Sequence, residues 1–119
     1  MSKPVVLIVE DEPVIRLVAA SIGMDAGFTL LEAANADEAI EILEKRPDIG
    51  VVFTDVSMPG SMDGLKLART ISDRWPPIGI IITSGQTAIR ERDMPDRAQF
   101  LPKPYDALQL VDLLEKAAA

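Results

Sequence analysis

The chain of 119 residues contains no cysteine and no histidine. Without cysteine it can form neither a disulfide framework nor a thiolate metal site, and without histidine it has no imidazole to act as a general base or a zinc ligand. These two absences exclude most hydrolase mechanisms. Nineteen acidic residues against twelve basic residues give a net charge of −7, which repels the phosphate backbone of nucleic acid. We therefore expect no direct binding to nucleic acid.

Long apolar runs are absent as well. No stretch approaches the about 20 residues that cross a membrane, and the apolar run near the N-terminus ends at Glu10, too early for a secretory signal. We expect a cytoplasmic protein with no membrane partner. Hydrophobic residues make up 48% of the chain and charged residues 26%, which is a globular composition. Because the length is that of one ordinary domain, we predict a single domain over residues 1–119.

Short apolar runs alternate with helical periodicity along the chain. Three runs are almost continuously apolar, as strands buried on both faces should be: VVLIV (5–9), VVFT (51–54) and IGIIIT (78–83). Two weaker runs, FTLLEA (28–33) and QFLP (99–102), are typical of edge strands. This β-α-β-α alternation predicts an α/β fold, a doubly wound parallel sheet with helices on both faces. We expect the flavodoxin-like strand order 2-1-3-4-5.

Helical periodicity predicts helices over 14–24, 36–45 and 105–118, and a further one that carries Leu65 and Ile71. The first helix is expected to face the core through four residues, Ile15, Val18, Ala19 and Ile22. Two residue pairs have the spacing of helix caps, namely Asn35 with Glu38 and Asp106 with Gln109. The segment before the fifth strand has little amphipathicity and contains Pro95, so a short or irregular helix is predicted within residues 86–98.

Polar side chains follow the carboxyl ends of the predicted strands, where ligands bind in sheets of this type. Glu10 and Asp11 follow strand 1, Asp55 ends strand 3, Ser84 follows strand 4 and Lys103 follows strand 5. Three carboxylates in one pocket would repel one another unless a cation intervened, and an all-oxygen ligand set suits Mg²⁺. A lysine beside them would hold a phosphate oxygen. A carboxylate needs no base to act as a nucleophile, and aspartyl phosphate is an established covalent intermediate.

Five motifs lie in order at these positions: the acid pair Glu10-Asp11, TDVSMPG around Asp55, MDGL, TSG and LPKP. With them the chain resembles the receiver domain of bacterial two-component response regulators over essentially its full length. Each motif alone is weak, but five in order on predicted strand ends form a strong signal. The resemblance implies a signalling domain rather than an enzyme in the usual sense, one that catalyses its own phosphorylation and slow dephosphorylation.

By this resemblance Asp55 accepts a phosphoryl group from a phosphohistidine of a sensor histidine kinase or a histidine phosphotransfer protein. Glu10, Asp11, Asp55 and the backbone carbonyl of Ser57 are expected to hold Mg²⁺. Lys103 would pair with the phosphoryl group, and its peptide bond to the following proline is expected to be cis. Output would be a change in the surface formed by the helix before strand 5, strand 5 and the last helix. The sequence does not identify the downstream protein that reads this surface.

The resemblance assigns four further roles. Ser84 would hydrogen-bond the phosphoryl group and so begin the switch, and Phe100 occupies the position of the family's aromatic switch residue. Ser57 and Gln86, each two residues beyond an active residue, are expected to tune the rate at which water removes the phosphoryl group. The chain ends soon after the last predicted helix, which we interpret as either a single-domain regulator or a receiver taken from a longer protein.

Each of these residues also has an ordinary structural interpretation. Asp55 could form a turn at the end of its strand, and the acid pair could cap the first helix. Phe100 could simply belong to the core of strand 5. A slip of one residue in the fourth strand would direct Thr83, instead of Ser84, toward the site.

Two departures from the family pattern and two other functions stay open at this point. The loop between Pro59 and Asp63 is one residue longer than usual, and the interval from Ser84 to Lys103 is a few residues short. A degenerate receiver could serve only as a docking or dimerisation module. A Mg²⁺-dependent phosphatase on the same type of sheet usually has a second aspartate two residues after the nucleophile, where this chain has Ser57.

Overall fold

A computed structural model describes residues 3–57, 63–85 and 93–118. Within these residues five parallel strands form one sheet in the order β2-β1-β3-β4-β5, with four helices. The strands are β1 (Val5–Val9), β2 (Thr29–Ala33), β3 (Ile49–Asp55), β4 (Gly79–Ser84) and β5 (Ala98–Pro102). The helices are α1 (Pro13–Asp25), α2 (Ala36–Lys45), α3 (Gly64–Arg74) and α4 (Ala107–Ala118). The predicted flavodoxin-like α/β fold is confirmed.

Helices cover both faces of the sheet, which explains why the central strands are apolar throughout. One face packs Leu7, Val52 and Ile80 against α2 and α3, and the other packs Ile8 and Phe53 against α1 and α4. Every residue of β1 and β4 is buried, whereas β2 at one edge is largely accessible. The two apolar clusters fix the sheet between the helix layers, so the carboxyl ends of β1, β3, β4 and β5 all open at the same rim.

Both cap pairs expected from the sequence form. The Asn35 side chain accepts a hydrogen bond from the Glu38 amide at 2.8 Å, and the Glu38 carboxylate accepts one from the preceding Ala34 amide at 3.2 Å. At α4 the pair is reciprocal, with Asp106 and Gln109 each accepting from the other's amide at 2.8 and 2.9 Å. No helix in the part of the chain that the structure describes is long and apolar enough to cross a membrane.

The core face predicted for α1 is wrong for Ile15 and Val18, whereas Ala19 is buried and Ile22 packs against the apolar cluster on the α1 and α4 face, as predicted. Ile15 and Val18 retain 38% and 52% of their exposure, and the helix is buried through small residues, Ala19, Ala20 and Gly23. Only two of the 13 residues of α1 are charged, so apolar side chains lie all round the helix. In such a helix the spacing of large apolar residues does not determine which face is buried.

Close packing explains why α1 turns its smallest residues inward. A Cβ atom on Gly23 would lie 2.9 Å from a methyl carbon of Leu30, so the glycine lets the helix approach β2 more closely than any other residue would. After the helix ends, Gly27 adopts a φ of 96°, a conformation that favours glycine, and the chain turns into β2.

The predicted short or irregular helix before β5 cannot be compared with the structure over residues 86–92, which lie outside the described residues. The described part that follows includes Met94, which packs against the apolar cluster on the α2 and α3 face. The prediction of a single domain over residues 1–119 stays a prediction.

Gly64 begins α3 directly beneath the end of β3, and this contact generates a testable prediction. Its amide donates to the Val56 carbonyl at 3.0 Å, and a Cβ atom at this position would lie 1.9 Å from the Asp55 carbonyl oxygen. We expect Gly64→Ala to lower the free energy of unfolding by about 3 kcal/mol, because backbone atoms would have to move apart. Urea unfolding followed by circular dichroism measures this change.

Gly85→Ala is the matched control for that substitution. A Cβ atom on Gly85 would lie 3.8 Å from its nearest neighbour, the Lys103 side chain, which is an ordinary van der Waals contact. Its unfolding free energy should stay within about 0.5 kcal/mol of the wild-type value. A Gly64→Ala protein as stable as Gly85→Ala would contradict the tight contact between α3 and β3.

Candidate functional site

Asp55 ends β3 and is almost entirely buried, with 5% of its surface exposed. One carboxylate oxygen, Oδ1, accepts a hydrogen bond from the Ser57 amide at 3.0 Å, which is the Asx-type turn that the sequence allowed. The other, Oδ2, accepts a hydrogen bond from the Lys103 ammonium group. The turn and a chemical role for Asp55 are therefore compatible, because the turn uses Oδ1 and leaves Oδ2 facing the lysine.

Lys103 follows β5 and brings a positive charge to this carboxylate. Its amide donates to the Ser84 carbonyl at 3.0 Å, and its bond to Pro104 is cis, as expected from the sequence. Its Nζ atom lies 3.4 Å from Oε1 of Glu10 in addition to its contact with Asp55. Partial burial lowers the pKa of the Lys103 ammonium, but the hydrogen bond and charge of Asp55, with the charge of Glu10, outweigh that effect and raise the pKa.

Glu10 directly follows β1 and is as deeply buried as Asp55. Its Oε2 atom accepts a hydrogen bond from the Glu12 amide at 3.1 Å, so it does support the start of α1, as the capping interpretation allowed. Burial raises the pKa of Glu10 to about 7, and hydrogen bonds with the Asp55 and Asp11 carboxyl groups add to the increase. Asp55 and Asp11 thus lie close enough to Glu10 to raise its pKa.

The donors at this rim fit Mg²⁺ by their chemistry. Within residues 3–57, 63–85 and 93–118 no group of three acids is arranged to hold a metal ion as it stands, and the Lys103 ammonium contacts both Glu10 and Asp55. Mg²⁺ needs only one or two carboxylates, with the remaining positions taken by water and phosphate oxygens. A buried carboxylate whose pKa is raised toward neutrality is a group that a divalent cation would stabilise in its ionised form.

The hydroxyl groups at the end of β4 differ in their surroundings. Thr83 donates its hydroxyl to the Leu101 carbonyl at 2.7 Å inside the sheet, which ties it to β5. Ser84 is buried at the strand end, where its carbonyl accepts from the Lys103 amide. The bond to Leu101 commits the Thr83 hydroxyl to the sheet, which argues against Thr83 as the group facing a ligand, and the role of Ser84 stays a prediction.

The remaining predicted residues are Phe100, Ser57 and Gln86. Phe100 is half-buried, pairs with Ile82 in the sheet and packs against the apolar cluster on the α2 and α3 face. This position agrees both with an ordinary core residue and with a switch residue. Ser57 is exposed, and Gln86 lies outside the described residues.

Tyr105 is a site neighbour that the sequence reasoning missed. Its ring packs edge-on against Phe53 with centroids 5.7 Å apart. Burial raises the pKa of its hydroxyl, the charge of Lys103 opposes that increase, and the charges of Glu10 and Asp55 add to it. It lines an apolar cavity of about 530 Å³ beside Lys103, together with Val14, Ile15, Val18, Ile22, Gly85 and Pro104. In the sequence, Tyr105 directly follows the Lys-Pro motif, and this position could have indicated a site residue. The sequence reasoning instead assigned Tyr105 to the last helix.

Comparisons with known proteins identify the family that this chain resembles. The family model described as the response regulator receiver domain matches residues 6–115. A putative NtrX-like response regulator of Rickettsia bellii is 38% identical over 117 residues, and the sensor kinase CckA of Brucella abortus is 38% identical over 119. These alignments include 94% and 93% of this chain but only 24% and 12% of those proteins. The chain therefore spans a quarter or less of these relatives.

Solved structures show the same likeness over their whole length. A response regulator receiver protein from Pseudomonas putida is 32% identical with a TM-score of 0.84, and the match covers 98% of both chains. A receiver protein from Sinorhizobium medicae has a TM-score of 0.90 at 26% identity, covering 98% of this chain and 94% of that one. On the family match, the strand order and these structures, the chain belongs to the response regulator receiver domain family.

Proposed function

We propose that this chain is a phosphorylation-dependent signalling receiver in which Asp55 accepts a phosphoryl group. The donor is a phosphohistidine on a sensor histidine kinase or a histidine phosphotransfer protein. One observation carries the proposal: a buried carboxylate at the end of β3 is held by the Ser57 amide and aimed at the ammonium group of Lys103. A buried carboxylate that is oriented and paired in this way is an available nucleophile in a chain without histidine or cysteine.

The reaction moves the phosphoryl group from a histidine nitrogen to a carboxylate oxygen. The phosphorus–nitrogen bond breaks as the bond from phosphorus to Asp55 forms, and the leaving imidazole takes up a proton from solvent. Because the transition state of such transfers is loose, the protein contributes orientation and charge neutralisation. Lys103 supplies a positive charge in direct contact with the nucleophile.

The proposed Mg²⁺ ligands are the carboxylates of Glu10, Asp11 and Asp55 and the carbonyl of Ser57. When bound, the ion would neutralise charge on the phosphoryl oxygens. Its positive charge would also offset the burial and the neighbouring carboxylates that raise the pKa of Glu10, and so favour the ionised form of that side chain.

After transfer, Lys103 would pair with the new phosphoryl group and Ser84 would donate a hydrogen bond to it. We propose that this draws the end of β4 toward the site and lets Phe100 move inward, which would alter the surface around β5 and α4. A downstream protein of unknown identity would read that surface. Ser57 and Gln86 would set how quickly water removes the group.

Two other functions are tested by the same chemistry. A phosphatase on this sheet would need an acid or base two residues after Asp55, and Ser57 is poorly suited to that role. A docking or dimerisation module would not require the buried ion pairs between Lys103 and the two carboxylates. The contacts therefore favour the phosphoacceptor function. A phosphorylation experiment distinguishes it from the phosphatase and from the docking module.

The phosphoacceptor role of Asp55 is tested by direct phosphorylation. Incubation with acetyl phosphate and Mg²⁺ should add one phosphoryl group to the wild-type protein, and Asp55→Asn should gain none because the amide is not a nucleophile. Intact mass spectrometry measures the gain, and omission of Mg²⁺ should reduce it at least tenfold.

Asp63→Asn is the matched control for the loss of a nearby carboxylate. Asp63 caps α3 by accepting from the Lys66 amide at 2.9 Å, and asparagine caps helices about equally well. This variant should gain the phosphoryl group as the wild type does. An Asp55→Asn protein that is modified like the wild type would contradict the assignment, and absence of any gain in the wild type would favour the docking module.

The raised pKa of Glu10 predicts a loss of stability as the pH rises. A folded-state pKa of about 7 against 4.5 means that the folded protein binds the Glu10 proton more tightly than the unfolded chain does. The resulting stability is fully present below about pH 4.5 and is lost as the pH rises through about 7, up to about 3 kcal/mol in all. Urea unfolding without Mg²⁺ at pH 5 and pH 7.5 should show this loss.

Glu10→Gln removes the titrating group and keeps the shape of the side chain, so its stability should fall less over the same pH interval. Added Mg²⁺ should restore stability to the wild type at pH 7.5, because the cation favours the ionised carboxylate. If the wild type and Glu10→Gln lose the same stability between the two pH values, Glu10 does not titrate in this range.

A further inference from the structure

We propose that Arg16 is a positioning residue for the acidic site, which holds the loop carrying Glu10 and Asp11 in the orientation that Mg²⁺ binding requires. The inference rests on the proposed function, because it concerns the same Mg²⁺ site. Arg16 lies in the first turn of α1 and does not reach the reacting atoms, so its effect would pass through the backbone of the loop.

Two hydrogen bonds place the Arg16 side chain between this loop and the edge of the sheet. Its Nη1 atom donates to the Glu10 carbonyl at 2.9 Å, and its Nε atom donates to Oε1 of Glu32 on β2 at 3.1 Å. The side chain is largely buried, with 21% of its surface exposed. The planar guanidinium can make both contacts at once, which a lysine ammonium on its flexible stem would not do with the same geometry.

The contact with the Glu10 carbonyl has a geometric consequence for Asp11. Since the peptide unit is planar, the Glu10 carbonyl and the Asp11 amide rotate together. The Glu10 amide is fixed by the Ala33 carbonyl at 3.0 Å, and Arg16 holds the other side of the residue. The direction in which Asp11 leaves the strand is therefore determined by Arg16.

Helix formation alone does not explain an arginine at this position. A positive charge near a helix N-terminus opposes the helix dipole, and α1 has neither an acidic residue in its first turn nor a side-chain hydrogen bond from its N-cap residue, Glu12. The positive charge of Arg16 is thus unfavourable for the helix itself. Its hydrogen bonds to the loop and to β2 offset this cost.

The ordinary alternative is that Arg16 only joins α1 to β2 through Glu32. Exposed ion pairs contribute about 0 to 1 kcal/mol to stability, and such a role would leave Mg²⁺ affinity unchanged. The two contacts can be separated, because Glu32→Gln removes the ion pair while leaving Arg16 free to donate to the Glu10 carbonyl.

The test measures the melting temperature of each protein as a function of MgCl₂ concentration, with NaCl at matched ionic strength. The increase in melting temperature with Mg²⁺ gives an apparent Kd that does not depend on phosphorylation. We expect Arg16→Gln to raise this Kd about tenfold, the usual effect of removing a residue that supports metal ligands. Arg74→Gln, which breaks an exposed ion pair with Glu44, is the matched control and should keep the wild-type Kd.

A Kd for Arg16→Gln within twofold of the wild-type value would overturn the inference. So would a Glu32→Gln protein whose Kd rises as much as that of Arg16→Gln, because the ion pair with β2 would then account for the effect. If Arg16→Gln does not fold, Arg16→Lys is measured instead, with a Kd expected about threefold above the wild type; an unchanged Kd would overturn the inference. A wild-type protein with no response to Mg²⁺ would overturn the proposed Mg²⁺ site as well.

Discussion

A single ammonium group, that of Lys103, lies between two buried carboxylates, and the site depends on this arrangement. Asp55 and Glu10 each retain 5% exposure, and two unpaired negative charges at that depth would strongly favour protonation. Lys103 can reach both because β5 lies next to β4 and its amide is tied to the end of that strand. The strand order and the register of the sheet therefore decide whether the charges of the two carboxylates are compensated.

Much of the fold and the charged centre could be predicted from the sequence for a physical reason. Strands buried on both faces must be continuously apolar, so 5–9, 51–54 and 78–83 stand out, and a parallel sheet brings their carboxyl ends to one rim. Glu10 and Asp55 follow such strands directly, Lys103 follows the weaker run 99–102, and the structure brings Lys103 into contact with both carboxylates. Local cap pairs such as Asp106 with Gln109 are equally predictable, since they depend on spacing within one helix.

Features that depend on packing between elements could not be predicted in this way. The buried face of α1 is decided by how closely the helix approaches Leu30, and periodicity carries no information about that distance. The contact from Arg16 to the Glu10 carbonyl joins a side chain to a backbone atom, so no pairing of residue types in the sequence indicates it. The edge-on contact between Tyr105 and Phe53 likewise appears only once α4 lies on the sheet.

The close packing of α1 through its small residues has a consequence for how the sequence of this domain can diverge in evolution. Ala19, Ala20 and Gly23 are constrained because any larger side chain would push the helix away from the sheet. Val14, Leu17 and Val18 point outward and contribute little to the core, so substitutions there leave folding nearly unchanged. These exposed positions of α1 can thus diverge between duplicated copies of the domain while the chemistry at the adjoining rim is preserved.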